Sequence, residues 1–116
     1  MPINCEIEFE GVVDTFHGRL IKSAHPHRCE ECSNTIPART CHFSGAGVWE
    51  GEYFKVRACL DCVEISRNFG AHEPGALYED IIEWARESGH DLPLHFFDGL
   101  SPKGVDLIQQ HVLEWL

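Results

Sequence analysis

Ile3, Cys5, Ile7 and Phe9 alternate with Asn4, Glu6 and Glu8 near the start of the chain, the period of two that gives a strand one buried and one wet face. Cys5 then reads as a small core residue. Gly11 and Gly18 punctuate the next stretch, and residues 19–24, RLIKSA, predict a second strand. Alternation returns twice: Cys41 and Phe43 against Thr40, His42 and Ser44, then Phe54, Val56 and Ala58 against Tyr53, Lys55 and Arg57. These two stretches form a hairpin. The connector between them, GAGVWEGE, holds three glycines and predicts a long turn rather than a tight one. From Cys59 the period changes to that of a helix, with Leu60, Val63 and Arg67 on one face and Gly70 as its stop. Two more helices come after it. Residues 73–89 carry Pro74 near the start, Leu77, Ile81, Ile82 and Ala85 on one face, and Gly89 at the end. Residues 101–116 open with Ser101 as cap and Pro102 in the first turn, then run Val105, Ile108, Val112 and Leu116 along one stripe. The stretch HDLPLHFFDGL between them is a connector with apolar anchors, and Trp84 and Trp115 read as packing residues of the helices.

Four cysteines break out of this pattern as two matching pairs, HRCEEC and RACLDC, in which Cys29 and Cys32 are separated by 26 residues from Cys59 and Cys62. Each C-x2-C bends the backbone so that both sulfurs aim at a common centre about 2.3 Å away, and the hairpin returns the chain so that the pairs meet. Zinc fits this better than the alternatives. A thioredoxin-like site uses one C-x-x-C, core cysteines have no reason to repeat an interval, and an iron-sulfur cluster is the remaining competitor. Four sulfur ligands close the coordination sphere, so the Zn²⁺ is structural, and such sites contribute on the order of 10 kcal/mol to folding. A second pair at the opening of a helix also gains from the dipole, which favours thiolate. Cys41 reads as a packing residue beside Phe43, and His27, two residues before Cys29, as a flanking group that bonds to a sulfur or to solvent.

With 116 residues the chain fits one domain, and 43% apolar with 24% charged residues excludes wholesale disorder. Its parts are strands in 1–24, a zinc module in 25–70 and an acidic helical tail in 71–116: an α+β fold in which a knuckle, a β-hairpin and a helix are stapled by zinc, with N-terminal strands and a C-terminal pair of helices. The formal charge of −10 is uneven, with four acids and no bases in residues 1–14, seven bases against six acids in 15–67, and two bases against nine acids in 68–116. Such a field repels phosphate and favours basic partners. The acidic, alternating start is unlike a secretory signal, no stretch approaches a membrane helix, and six cysteines with zinc spacing suit a reducing cytoplasm.

The stretch from residue 19 to 69 resembles a group of small phage and prophage proteins, through IKSAHPHRCEECSNTI, the SGAGVWEGEYF hairpin and RACLDC. Its order of knuckle, hairpin and helix resembles the treble-clef zinc fold. The resemblance implies a zinc module in a phage-type accessory protein acting in a host cytoplasm, and carries over no activity. Two positions depart from the group's pattern: Ser33 and Asn34 stand where it has Gly, with Asn34 able to take a left-handed conformation, and Ala38 and Arg39 stand where it has Gly-Glu.

Three functions compete. Treble-clef modules also scaffold some nucleases, but His42 and Asn68 lack the second histidine that metal-assisted hydrolysis needs, and His90, His95 and His111 lack a nucleophile beside them, so the chain reads as non-catalytic. A nucleic-acid-associated zinc-finger protein or regulator would use Arg28, Arg39, Lys55 and Arg57 around a hairpin carrying Trp49 and Tyr53. The same cations would offset the charge of about −2 on a tetrathiolate zinc centre. Protein contact is the leading reading. Trp49 and Tyr53 offer aromatic anchors, and Glu79, Asp80, Glu83 and Glu87 offer an acidic surface to a basic partner. The expected role is that of an accessory protein, an inhibitor or adaptor of a host or defence protein.

Overall fold

The computed structural model describes residues 8–10, 16–70, 75–89 and 91–116, with side chains described from Gly18 onward except that of Trp49. The fold is α+β. By its contacts the chain divides into two compact units, Met1–Leu60 and Asp61–Leu116.

Among the described residues the first unit holds six strands: β1 (Glu8–Glu10), β2 (Phe16–Lys22), β3 (His27–Arg28), β4 (Thr35–Ile36), β5 (Cys41–Trp49) and β6 (Glu52–Cys59). Four of them form an antiparallel sheet in the order β1-β2-β5-β6, and β3 pairs with β4 in a separate ribbon. Of the first expected strand only the end is seen, as β1; Ile3, Cys5 and Ile7 lie outside the described residues. The second begins earlier and ends sooner than RLIKSA suggested. Register puts Leu20 opposite Phe43 and Phe43 opposite Ala58, with Gly18, Gly45 and Val56 in the next row. Leu20, Val56 and Ala58 on this face are buried. Gly18 is small for a reason: a Cβ there would run into the ring of Phe43.

The long connector of the hairpin is corrected. β5 and β6 pair all the way to Trp49 opposite Glu52, leaving only Glu50 and Gly51 in the turn. Both take positive φ, 51° and 83°, the geometry of a two-residue turn whose twist matches that of the flanking strands. The other connector glycines, Gly45 and Gly47, are buried within β5. The face that carries Phe43 is the inward one, shared with buried Leu20, Gly45, Val56 and Ala58, although Cys41 and Phe43 at its start are only half-buried. His42 is buried on the opposite face, where its hydrogen bonds make burial tolerable.

The second unit is helical. It takes up α1 (Leu60–Phe69) after its first residue, then α2 (Leu77–Glu87) and α3 (Pro102–His111), with 3-10 turns at Leu94–Phe97 and Leu113–Trp115. Gly70 and Gly89 end α1 and α2 at φ 108° and 99°. The α2 helix starts later than its pattern implied, and Pro74 lies outside the described residues. Ser101 caps α3 as expected, its Oγ accepting the Gly104 N–H at 3.1 Å.

The buried stripe of α3 differs from expectation, being Gly104, Leu107 and Ile108 followed by Val112, while Val105 is 40% exposed. The helix stops at His111, and the tighter turn beyond it changes the angular phase, which leaves Trp115 65% exposed rather than packed. Trp84 does meet an aromatic cluster, 6.0 Å from Phe69 and 6.3 Å from Phe96 between ring centres. Leu92 and Phe96 are the connector's anchors, and Leu94 is exposed. No described helix is long and apolar enough to cross a membrane.

Candidate metal centre

The first pair sits in a knuckle built from backbone hydrogen bonds. Cys29 N–H donates to Asn34 O at 2.9 Å and Ser33 N–H to Cys29 O at 2.9 Å, closing a tight loop between β3 and β4. The Cys32 N–H points at Cys29 Sγ, 3.5 Å away. Closing the loop requires one residue in the left-handed region, and Ser33 takes it at φ 68°. The left-handed residue is therefore Ser33 itself and not Asn34, and a Cβ there costs about 1 kcal/mol.

The second pair sits on regular structure. Cys59 is the last residue of β6 and Cys62 the third residue of α1. Among the described residues β6 is an edge of the sheet, and the knuckle uses that edge: Glu30 N–H donates to Arg57 O at 2.8 Å, and Cys59 N–H to Cys29 Sγ at 3.4 Å. Residues 57 and 59 present their edge groups on the same side because the strand period is two. The edge groups of β6 that would otherwise need water thus position the sulfurs.

Among the described residues this brings Cys29, Cys32, Cys59 and Cys62 together, with their sulfurs all within 4.8 Å of one another. Cys32 Sγ and Cys59 Sγ are 3.8 Å apart. Tetrahedral bonds of about 2.3 Å to a common ion set sulfur separations of about 3.8 Å, so this spacing fits one metal ion held by four thiolates. Cys29, Cys32 and Cys62 are buried and Cys59 is half-buried. Cys29 Sγ accepts two backbone N–H bonds, and Cys62 Sγ lies 3.0 Å from Tyr78 Oη. The two backbone donors favour thiolate over thiol at Cys29, as a ligand requires.

The flanking residues fall elsewhere. His27 pairs with Ser23 and His42: its Nε2 lies 2.8 Å from Ser23 Oγ, and its ring stands 5.6 Å from that of His42. Desolvation first, then the positive charge of Arg57, lowers its pKa from the ordinary imidazole value. Cys41 lies outside the cluster and is disulfide-bonded, which replaces its reading as a packing thiol. His42 Nδ1 faces Thr40 O at 3.0 Å, and its Nε2 faces Arg57 Nη1 at 2.7 Å. A carbonyl can only accept and a guanidinium can only donate, so the ring is the neutral tautomer with its proton on Nδ1. Asn68 Nδ2 donates to Phe96 O and Asp98 O at 3.0 and 2.8 Å, a structural clamp.

Of the residues expected at a partner surface, Tyr53 is 66% exposed, Glu79, Glu83 and Glu87 are exposed and Asp80 is half-buried. The side chain of Trp49 lies outside the described residues. Sequence reasoning missed Tyr78 as a neighbour of this region. Tyr78 belongs to the buried face of α2 with Leu77 and Ile81, and its phenol was the available signal, since a buried O–H needs a partner.

Comparison with models of protein families, with curated proteins and with solved structures returns no match for this chain.

Proposed function

We propose that the four cysteines hold a structural Zn²⁺ and that the protein is a non-catalytic accessory module acting through protein–protein contact. What carries the zinc reading is the set of four sulfurs within 4.8 Å of one another, one pair of them 3.8 Å apart, since four protein ligands leave no open position for a substrate or a reactive water. When bound, the ion supplies charge and cross-linking; Cys29, Cys32, Cys59 and Cys62 would hold it. Contact as the mode of action draws support from exposed Tyr53 on β6 and from Glu79, Glu83 and Glu87, which recur every four residues along the exposed side of α2. A basic protein surface complements that stripe, and a phage-encoded inhibitor or adaptor of a host or defence protein is the setting the hairpin resemblance suggests.

One observation favours a second reading. The register gives Arg19, Tyr53, Lys55 and Arg57 the same face of the sheet, a cationic stripe with an aromatic suited to single-stranded nucleic acid. Affinity capture from nuclease-treated lysate separates the two. Protein contact predicts a protein partner retained by the wild type, released by moderate salt, and lost when Glu79, Glu83 and Glu87 are changed together to Lys. Recovery of nucleic acid alone from untreated lysate, abolished by Lys55→Glu, would overturn it in favour of the second reading.

A further inference from the structure

We propose that Tyr78 is part of the metal centre: its phenol O–H, donated to Cys62 Sγ, holds that sulfur as a ligand and sets how firmly the centre keeps its metal. This rests on the zinc reading above.

The pair is 3.0 Å apart, with Cys62 1% and Tyr78 6% exposed, so water does not compete for either atom. A thiolate has no proton to give, which makes the phenol the donor. The bond is then charge-assisted and of the stronger kind. Tyr78 is also held in place. Its ring stacks on His111 of α3, with centroids 4.6 Å apart and planes 23° apart, and its helix buries Leu77 and Ile81 on either side. The ring is held so that the O–H is aimed at the sulfur, and little side-chain freedom is lost when the bond forms. A phenylalanine would fill the same space and stack on the same imidazole while leaving the Cys62 sulfur without this donor. A tyrosine that only filled space would leave the electronic state of a bound ion unaltered, whereas a donor to a ligand sulfur withdraws charge from it.

The test compares wild type with Tyr78→Phe, first by zinc competition against a chromophoric chelator and then by Co²⁺ substitution. The expected result is zinc affinity lower by about 10-fold, the usual cost of losing a partner of a metal ligand. The sulfur-to-cobalt charge-transfer band should move to longer wavelength, because the unshielded sulfur is more electron-rich. Affinity within twofold of wild type with an unmoved band overturns the role of Tyr78 while leaving the zinc centre intact. A wild type that binds neither ion overturns the zinc reading itself, and this proposal with it.

A second measurement keeps the O–H and changes its strength. The chain has two tyrosines, and Tyr53 is exposed, so fluorotyrosine incorporated into a Tyr53→Phe chain reports on Tyr78 alone. The more acidic phenol should move the cobalt band to shorter wavelength, and an unmoved band contradicts the proposal even if Tyr78→Phe does not fold.

Discussion

The two cysteine pairs have the same spacing and opposite supports. Cys59 and Cys62 ride on the end of a strand and the first turn of a helix, elements with their own hydrogen-bond ladders. Cys29 and Cys32 ride on a short loop closed by two backbone bonds and carrying Ser33 in a left-handed conformation. The C-x2-C motif is therefore not a structural unit in itself. One pair is positioned by the surrounding fold before any ion binds; the other spends conformational strain to reach the same centre and depends more on what it binds.

That difference can be broken most severely at the ligands. Cys29 Sγ is fully buried and accepts both the Cys32 and Cys59 amides, while Cys59 is half-buried. Cys29→Ser should abolish metal retention and cost several kcal/mol of stability, on the order of a lost structural zinc site. Cys59→Ser should weaken retention less. Chelator competition and urea denaturation of both variants check the ranking, and equal losses would erase the distinction.

A gentler perturbation leaves the sequence intact. On chelation, amide exchange should accelerate first at residues 29–34, where the hydrogen bonds are few, and later in β6 and α1 around Cys59 and Cys62. Simultaneous loss of protection in both places would mean that the second pair is no better supported than the first.

Ser33→Gly removes the Cβ from the left-handed position, and should stabilise the metal-loaded protein by about 1 kcal/mol, raising the urea midpoint with an unchanged slope. The same change would act at no position of the second pair, since neither Cys59 nor Cys62 is flanked by a residue of positive φ.

The smallest effect lies beside the second pair. Burial first, then the neighbouring charge of Asp61, raises the pKa of Glu64. A raised value means that the folded protein holds this proton more tightly than the unfolded chain. The group is then most favourable at low pH and becomes a penalty as pH rises through its folded value. Glu64→Gln should give a slightly higher Tm at pH 7, with the advantage closing as pH falls towards the ordinary glutamate value. An advantage that grows on acidification would reverse the sign.

How much of this was written in the residues depends on which physical signal each feature leaves. The gathering of the four cysteines was legible because metal chemistry demands a residue type at an interval, and helix ends were legible at Gly70, Gly89 and Ser101 because each marks a backbone conformation or a cap. The length of the hairpin was not. Gly45 and Gly47 look like turn residues in one dimension and are strand residues in three, where the neighbouring strands decide what fits. His42 looks like an outward residue when polarity is the only guide, whereas Arg57 and the Thr40 carbonyl supply the partners that let it be buried. Tyr78 was invisible as a neighbour of Cys62 because 16 residues and the start of another helix separate them. Patterns of period report a residue's own element; they carry no information about what that element is packed against.

The most direct test is native mass spectrometry of protein purified under reducing conditions with no metal added. The closed sulfur cage predicts a folded chain carrying one zinc ion, replaceable by cobalt with the absorption of a tetrahedral thiolate site. A compact, metal-free chain with the same far-UV spectrum and all four sulfurs open to rapid alkylation would contradict it.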